Sequence, residues 1–360
     1  MAKNEHRSQE AIDGQLISTI AGNWQAVTKD ADGNAHIHTL YKHSTKTRPL
    51  PDLEDLLVRQ APPVRITPSR AKVPERDFKL IVDLPDPQVD WRRLPSGELS
   101  PIHDERAMKI GRLICYDLRP DVIVIGGDAL DMAAIARFDK DSQHFNAPEA
   151  IQVAIDGLSS YLAGLRSDNP KAEIVMLTGN HEQRLIKYVL KNAEKVYGLR
   201  RANSPEEWPV LTVPYLLRTD EMDIKWVSGY PANEYRYNDD LTFVHGDKTR
   251  SQGSSAELYS KEYDTNVVFH HVHRIESHTR TTKTGRFITA ATFGTLASIR
   301  GDVPSYGSGV DDRGEIVPRY ENWQQGLGLI AVYPDGYIEM HPIHIRNGMA
   351  RFMGREYLVD

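Results

Sequence analysis

Imidazole, carboxylate and carboxamide side chains recur in this 360-residue chain in five short clusters whose residue types suit metal binding. His270-His-Val-His273 sets His271 and His273 two residues apart, so in an extended segment they share one face and can serve one centre. The other clusters are Pro85-Asp-Pro-Gln88, Gly126-Gly-Asp-Ala-Leu-Asp131, Thr178-Gly-Asn-His-Glu182 and His245-Gly-Asp247. Each alone has an ordinary explanation. An Asp after a strand is more often a helix N-cap, and Asn-His in a loop is more often a turn. Together they suit two divalent ions: a shared carboxylate neutralises both ions and sets their separation, and imidazoles favour manganese, iron, nickel or zinc over calcium. No thiolate accompanies them, which argues against a structural zinc site.

A set of strands must position these residues. Phe78-Lys-Leu-Ile-Val82, Val122-Ile-Val-Ile125, Glu173-Ile-Val-Met-Leu177 and the runs 241–244 and 266–269 read as strands, and each leads into one cluster. The uninterrupted branched run at 122–125 is typical of a strand covered on both faces. Between them, residues 103–118 read as a helix with Met108, Leu113, Ile114 and Leu118 inward, and residues 148–166 as another with Pro148 near its first turn. Strand, helix, strand, helix, strand predicts a layered α/β core with neighbouring strands parallel. In such sheets ligands bind beyond the carboxyl ends of the strands, so the five clusters would converge. Strands near 286–293, 327–333 and 337–345 follow, the last two meeting at Pro334-Asp-Gly336.

Residues 1–76 differ in character. A short helical pattern (Ala11, Leu16, Ile17, Ile20) precedes an expected hairpin in which 24–28 and 36–41 flank Asp30-Ala-Asp-Gly-Asn34. A stretch with Pro49, Pro51, Pro62, Pro63, Pro68 and Pro74 then excludes continuous helix or a central strand and reads as a linker or wrapping arm. The expected division is an accessory region at 1–76, a core at 77–349 and a tail at 350–360.

The order D-x-[HQ], G-D-x-x-D, G-N-H-E, H-G and x-H-x-H resembles the calcineurin-like metallophosphoesterase superfamily over roughly residues 78–345. The resemblance implies two β-sheets packed face to face and flanked by helices, and hydrolysis of phosphate esters by a metal-activated hydroxide. It also implies that Asp86 and Gln88 hold the first metal with His273, that Asp128 bridges, and that Asn180, His245 and His271 hold the second. His181 would sit beside the substrate as acid or electrostatic clamp and Asp131 would orient a neighbour. There are two departures. The first motif usually reads D-x-H, and the P-D-x-Q form here is similar to phage- and prophage-encoded members. As a neutral, harder ligand, Gln88 tilts the first site from zinc toward manganese or magnesium, so manganese is the expected ion, with magnesium, iron, nickel and zinc as alternatives. A register using Asp83 instead would put Pro85, which has no donor atom, at the second position. The second departure is His270, where the family usually has glycine.

A net charge of −6 excludes a strong general polyanion binder, and 40% hydrophobic with 26% charged residues is ordinary for a globular protein. No apolar run spans a bilayer. A polar N-terminus and the single Cys115 suit a cytoplasmic protein, in the host if phage-encoded. Two basic clusters stand out, His43–Arg76 and Arg274, Arg280, Lys283 and Arg286. The expected substrate is a phosphodiester in DNA or RNA, with Lys248, Arg250 and Arg274 beside the metal motif reaching flanking phosphates. The alternative is a phosphomonoesterase on proteins or nucleotides, and the protein-phosphatase form of it is lowered because their continuation D-R-G is replaced by Met132-Ala-Ala after Asp131. A third reading is a binding protein that kept the fold without turnover. The N-terminal region would serve as a nucleic-acid arm, as a homo-oligomer contact or as packing over the core.

Overall fold

The computed structural model describes residues 17–29, 35–46, 63–69, 72, 74–93, 98–136, 149–203, 208–299 and 321–359. The chain divides into two units, residues 1–62 and 63–360. In the first, β1 (Ile17–Lys29) and β2 (Ala35–Lys46) pair antiparallel, with Lys29 opposite Ala35 and an irregularity between Ile20 and Gly22. Ile17 and Ile20, expected on a helix, lie in this strand. The run Ile17-Ser-Thr-Ile20 is rich in branched residues, which favour extended backbone. Ala11, Leu16, the turn at 30–34 and most of the basic cluster before Arg65 lie outside the described residues.

In the second unit β3 (Lys79–Leu84), β6 (Val122–Ile125), β7 (Glu173–Leu177) and β8 (Ile224–Val227) run parallel. β14 (Gly326–Val332) pairs antiparallel with β3, and β15 (Ile338–Arg346), β16 (Met349–Phe352) and β17 (Arg355–Leu358) extend that side. Residues 350–358, expected within a tail, thus complete the sheet edge, where Ala350 and Tyr357 are buried. Among the described residues a second sheet has the order β12 (Ile275–Thr281), β13 (Phe287–Phe293), β11 (Asn266–Phe269), β10 (Leu241–Val244), β9 (Glu234–Asn238), with β10, β11 and β13 parallel. A short ribbon, β4 (Trp91–Arg93) with β5 (Leu99–Pro101), stands apart from both.

Strand alternation sorts the side chains into layers. Val122 and Val124 of β6 meet Phe243, Val268 and Phe293 between the sheets, while Ile123 and Ile125 face the helices. Those helices are α1 (Glu105–Leu118), α2 (Ala150–Asp168) and α4 (Val213–Leu217), contributing Ile110, Ile114, Leu158, Leu162 and Leu217. On the far side Ala256 and Tyr259 of α5 (Ser255–Glu262) cover Val244, Val267 and Phe269. The result is helix, sheet, sheet, helix: the two packed sheets flanked by helices that the motif order implied. α1 starts at Asp104, whose Oδ1 accepts from the amides of Arg106 and Ala107. Leu113, expected inward, is 41% exposed: the buried stripe of α1 runs through Ala107, Met108, Ile110, Gly111, Ile114 and Cys115. No helix among the described residues is long and apolar enough to cross a membrane.

Phe243 is fully buried between the sheets, so Phe243→Ala should destabilise the fold by about 3–5 kcal/mol. Leu113→Ala should stay within about 0.5 kcal/mol. Urea unfolding of both variants measures the contrast.

Candidate metal centre

The parallel strands β3, β6 and β7 of one sheet and β10 and β11 of the other end at the same place, and the five polar clusters meet there. Gln88 N donates to the Asp128 carbonyl at 2.9 Å and Val89 N to that of Ala129 at 2.8 Å, so the loop after β3 lies along the loop after β6. Asp128, His245 and His271 bring ligand atoms within 4.8 Å of one another. His273 Nε2 lies 3.6 Å from Asp86 Oδ1 and 3.4 Å from the Gln88 amide. Asn180 Oδ1 lies 3.4 Å from His245 Nε2. All seven residues named from the motifs therefore gather around one locus.

The backbone there is strained. Asp86, Gln88, Asp128, His271 and His273 all take positive φ, between 42° and 72°, a region costly for residues other than glycine and concentrated at functional sites. Close approach does the rest. A Cβ on Gly179 would come within 2.1 Å of Asp128 Oδ1, and one on Gly126 within 2.2 Å of the His270 ring.

The electrostatics call for a cation. His245 Nδ1 lies 2.8 Å from the Gly126 carbonyl, which can only accept, so the proton sits on Nδ1. In the neutral ring the Nε2 lone pair then faces Asp128 Oδ2 at 3.3 Å, an acceptor facing an acceptor. Asp128 Oδ2 and Asp86 Oδ1 are buried and make no hydrogen bond, an arrangement that costs free energy unless a positive charge sits between. Without an ion a proton is the only substitute. Burial opposes the His245 imidazolium, yet Asp128 and Asp86 raise its pKa to about 10. Burial likewise opposes the Asp128 carboxylate, yet His181 and His245 hold it well below the usual range. Burial and the charge of His245 lower His271 to about 4, leaving its ring neutral and free to ligate. The donor set thus fits divalent ions.

His181 and Asp131 sit beside this group. His181 N donates to Asp128 Oδ1 at 2.8 Å, and its Nδ1 lies 2.9 Å from Asp131 Oδ1. Arg184, which no motif singles out, donates to Asp131 Oδ1 at 2.8 Å and places Nη2 2.9 Å from His181 Nε2. It lies three residues after His181 at the start of α3 (Glu182–Asn192), a spacing that puts the two on one face. The motif order assigns Glu182 no role. Its buried carboxylate accepts from the amides of Asp128, Ala129, Leu130 and Gly179 at 2.8–3.1 Å, binding two of the metal loops together. Trp323 packs edge-on to His273, with ring centroids 4.3 Å apart.

His270 is no ligand. Its Nδ1 meets the Val244 carbonyl at 2.8 Å and its Nε2 meets Asp83 Oδ1 at 2.9 Å, both residues fully buried between the sheets. The ring occupies the space that Gly126 leaves open, and Asp83 is occupied by this pair rather than by the centre.

Two of the three cations expected to reach substrate, Lys248 and Arg274, are committed elsewhere. Lys248 pairs with Glu262 at 2.6 Å. Arg274 bonds Glu276 at 2.6 Å and the Ser255 hydroxyl at 3.1 Å, and also donates to the carbonyl of Arg250, which is itself exposed. Arg280 and Arg286 of the same basic cluster bond the Tyr263 carbonyl and Asp240.

No family model matches the sequence, and no curated protein does. Among solved structures, one match is Yfce, a phosphoesterase from E. coli, at 10% identity and a TM-score of 0.29, covering 74% of this chain and 100% of that one. At that distance the likeness says nothing about activity or substrate.

The raised His245 pKa sets a pH dependence. Its folded value lies above the ordinary 6.5, so the stabilisation is complete below pH 6.5 and is lost as pH climbs through about 10. Metal-free protein should therefore lose thermal stability on the alkaline side. Saturating manganese, which replaces the proton, should abolish that loss and add about 2.7 kcal/mol at a hundredfold excess over Kd. Melting curves in chelator and in manganese across this range check both.

Proposed function

We propose that the protein is a two-metal phosphoester hydrolase of the calcineurin-like type, cleaving phosphodiesters in nucleic acid. The observation that carries this reading is the set of buried acceptors without donors: Asp128 Oδ2 facing His245 Nε2, and Asp86 Oδ1, which makes no hydrogen bond, 3.6 Å from His273 Nε2. Such an arrangement is built for cations. Asp86, Gln88 and His273 would hold one ion, Asn180, His245 and His271 the other, and Asp128 would face both. Bound ions supply charge neutralisation at the phosphate and a lowered water pKa.

The protein's own groups then do three things. Asp131 orients the His181 ring from the Nδ1 side. Burial opposes protonation of His181, but Asp128 and Asp131 raise its pKa, keeping a proton available for a departing alkoxide. Arg184, always a donor, makes His181 Nε2 an acceptor in the resting arrangement. An incoming phosphate, as the stronger acceptor for a guanidinium, would draw Arg184 away, and the freed Nε2 would take up from solvent the proton that the raised pKa favours and hand it to the leaving oxygen. Support for a diester rather than a phosphoprotein comes from Met132-Ala-Ala where protein phosphatases continue D-R-G.

Hydrolysis of an aryl phosphodiester should vanish in chelator and return with manganese; full turnover in excess chelator would overturn the proposal. His181→Asn should retain metal by elemental analysis while kcat falls about 10²-fold or more. Loss of metal from that variant would make His181 a ligand instead. Gln88→His should tighten zinc at the first site, read by calorimetric titration. Unchanged affinity would remove Gln88 from the ligand set.

A further inference from the structure

α3 leaves the metal centre carrying a surface that the chemistry does not use. It begins at His181, and its inner face is Glu182, Leu185 and Val189, of which Glu182 and Val189 are buried and Leu185 packs on the core. At 100° per residue the opposite face, past Arg184, is Lys187, Tyr188 and Lys191. From Lys187 onward nearly every residue to 203 is exposed: Tyr188 is 47% exposed and, beyond the turn Glu194–Val196, Tyr197 is 50% exposed. Lys187 and Lys191 stand one turn apart on α3, about 6 Å along its axis, and Lys195 follows in the turn Glu194–Val196, with Glu194 the sole acid among them. None of the three lysines forms a salt bridge among the described residues, in contrast to Lys248 and Arg274. A chain of net charge −6 therefore concentrates unpaired positive charge and two open aromatic rings on α3, which starts at the candidate centre, and on the turn that follows it.

We infer that this face is a track for single-stranded nucleic acid, leading the strand to the metal centre; the inference rests on the phosphodiesterase reading above. Successive exposed lysines can neutralise successive phosphates of a backbone, and exposed tyrosines offer stacking platforms that unpaired bases can use and a duplex cannot. Stacking contributes about 1–3 kcal/mol per base. A second copy of this chain is disfavoured as occupant despite exposed Leu190 and Leu199, because a two-fold contact would set the lysine row against itself.

The test uses the full chain in chelator, so that no turnover intervenes, with a fluorescent oligothymidylate read by anisotropy. The combined variant Lys187→Glu, Lys191→Glu, Lys195→Glu should bind at least about 10-fold more weakly. Its slope of log affinity against log salt should be shallower by about 0.7 for each phosphate no longer neutralised. Tyr188→Ala should weaken binding about 10-fold, with Tyr188→Trp restoring it, a rescue that a merely structural tyrosine would not give. Melting curves confirm that each variant folds. Affinity and salt slope equal to the unmodified protein would overturn the track. So would a variant whose oligomeric state changes by sedimentation while its affinity does not, which would make the face a contact between copies. The metal-dependent aryl phosphodiester assay is read separately on the unmodified protein. Turnover there with no lysine or tyrosine effect on binding sinks the track alone, and binding with those effects but no turnover sinks the hydrolase reading alone.

Discussion

Everything at the strand ends depends on holding together groups that repel. Asp86, Asp128, Asn180, His245, His271 and His273 present mainly lone pairs to one small, largely buried space. The fold must supply the force that keeps them there in the absence of an ion. The loop backbone does so through positive φ at five of the seven candidate ligands. Glu182 does so by gathering four amides from the loops after β6 and β7 onto one carboxylate. These costs are tolerable because the layers beneath are closely packed and apolar, with Ile81, Phe243, Phe269 and Ile123 all fully buried. A rigid base lets the rim stay strained, as expected where a site is assembled before its ligand arrives.

Two sheets are needed because one could not surround the centre. β3, β6 and β7 bring carboxylates and the Asn180 amide from one side, and β10 and β11 bring three imidazoles from the other. Parallel pairing within each sheet aims all five carboxyl ends the same way, and face-to-face packing brings the two rows within reach. The candidate donors are thus divided by sheet, oxygens from one and imidazole nitrogens from the other.

Much of this is legible in the sequence because the strands carrying the clusters are short branched runs with sharp ends, such as Val122–Ile125 followed by Gly126-Gly127. The seven residues can be named because each follows such a run closely. What stays hidden depends on distant partners. Nothing local to Glu182 shows that the amides it binds lie more than fifty residues earlier, at Asp128 to Leu130. Arg274 reads as available beside His273, yet Glu276 two residues on takes its charge. β9 and β12 carry exposed polar residues at alternate positions and do not read as strands for that reason, and β16 (Met349-Ala-Arg-Phe352) and β17 (Arg355-Glu-Tyr-Leu358) include charged residues and no β-branched one. Helix α3 escapes a reading by pattern because its apolar stripe is only Leu185 and Val189, and the lysines that mark its outer face read as ordinary solvated charge.

The pair of His270 and Asp83 has a consequence for assembly order rather than for chemistry. It is a polar link at the heart of an otherwise oily interlayer, with one partner on β3 and the other at the end of β11. Sliding β11 by a single position would turn the imidazole outward and leave the Asp83 carboxylate facing hydrocarbon, an isolated buried charge of large cost. Oily contacts alone would tolerate several nearly equal alignments of one sheet on the other. This link admits one, so the two rows of ligands are brought into register before any metal or substrate is present to select it.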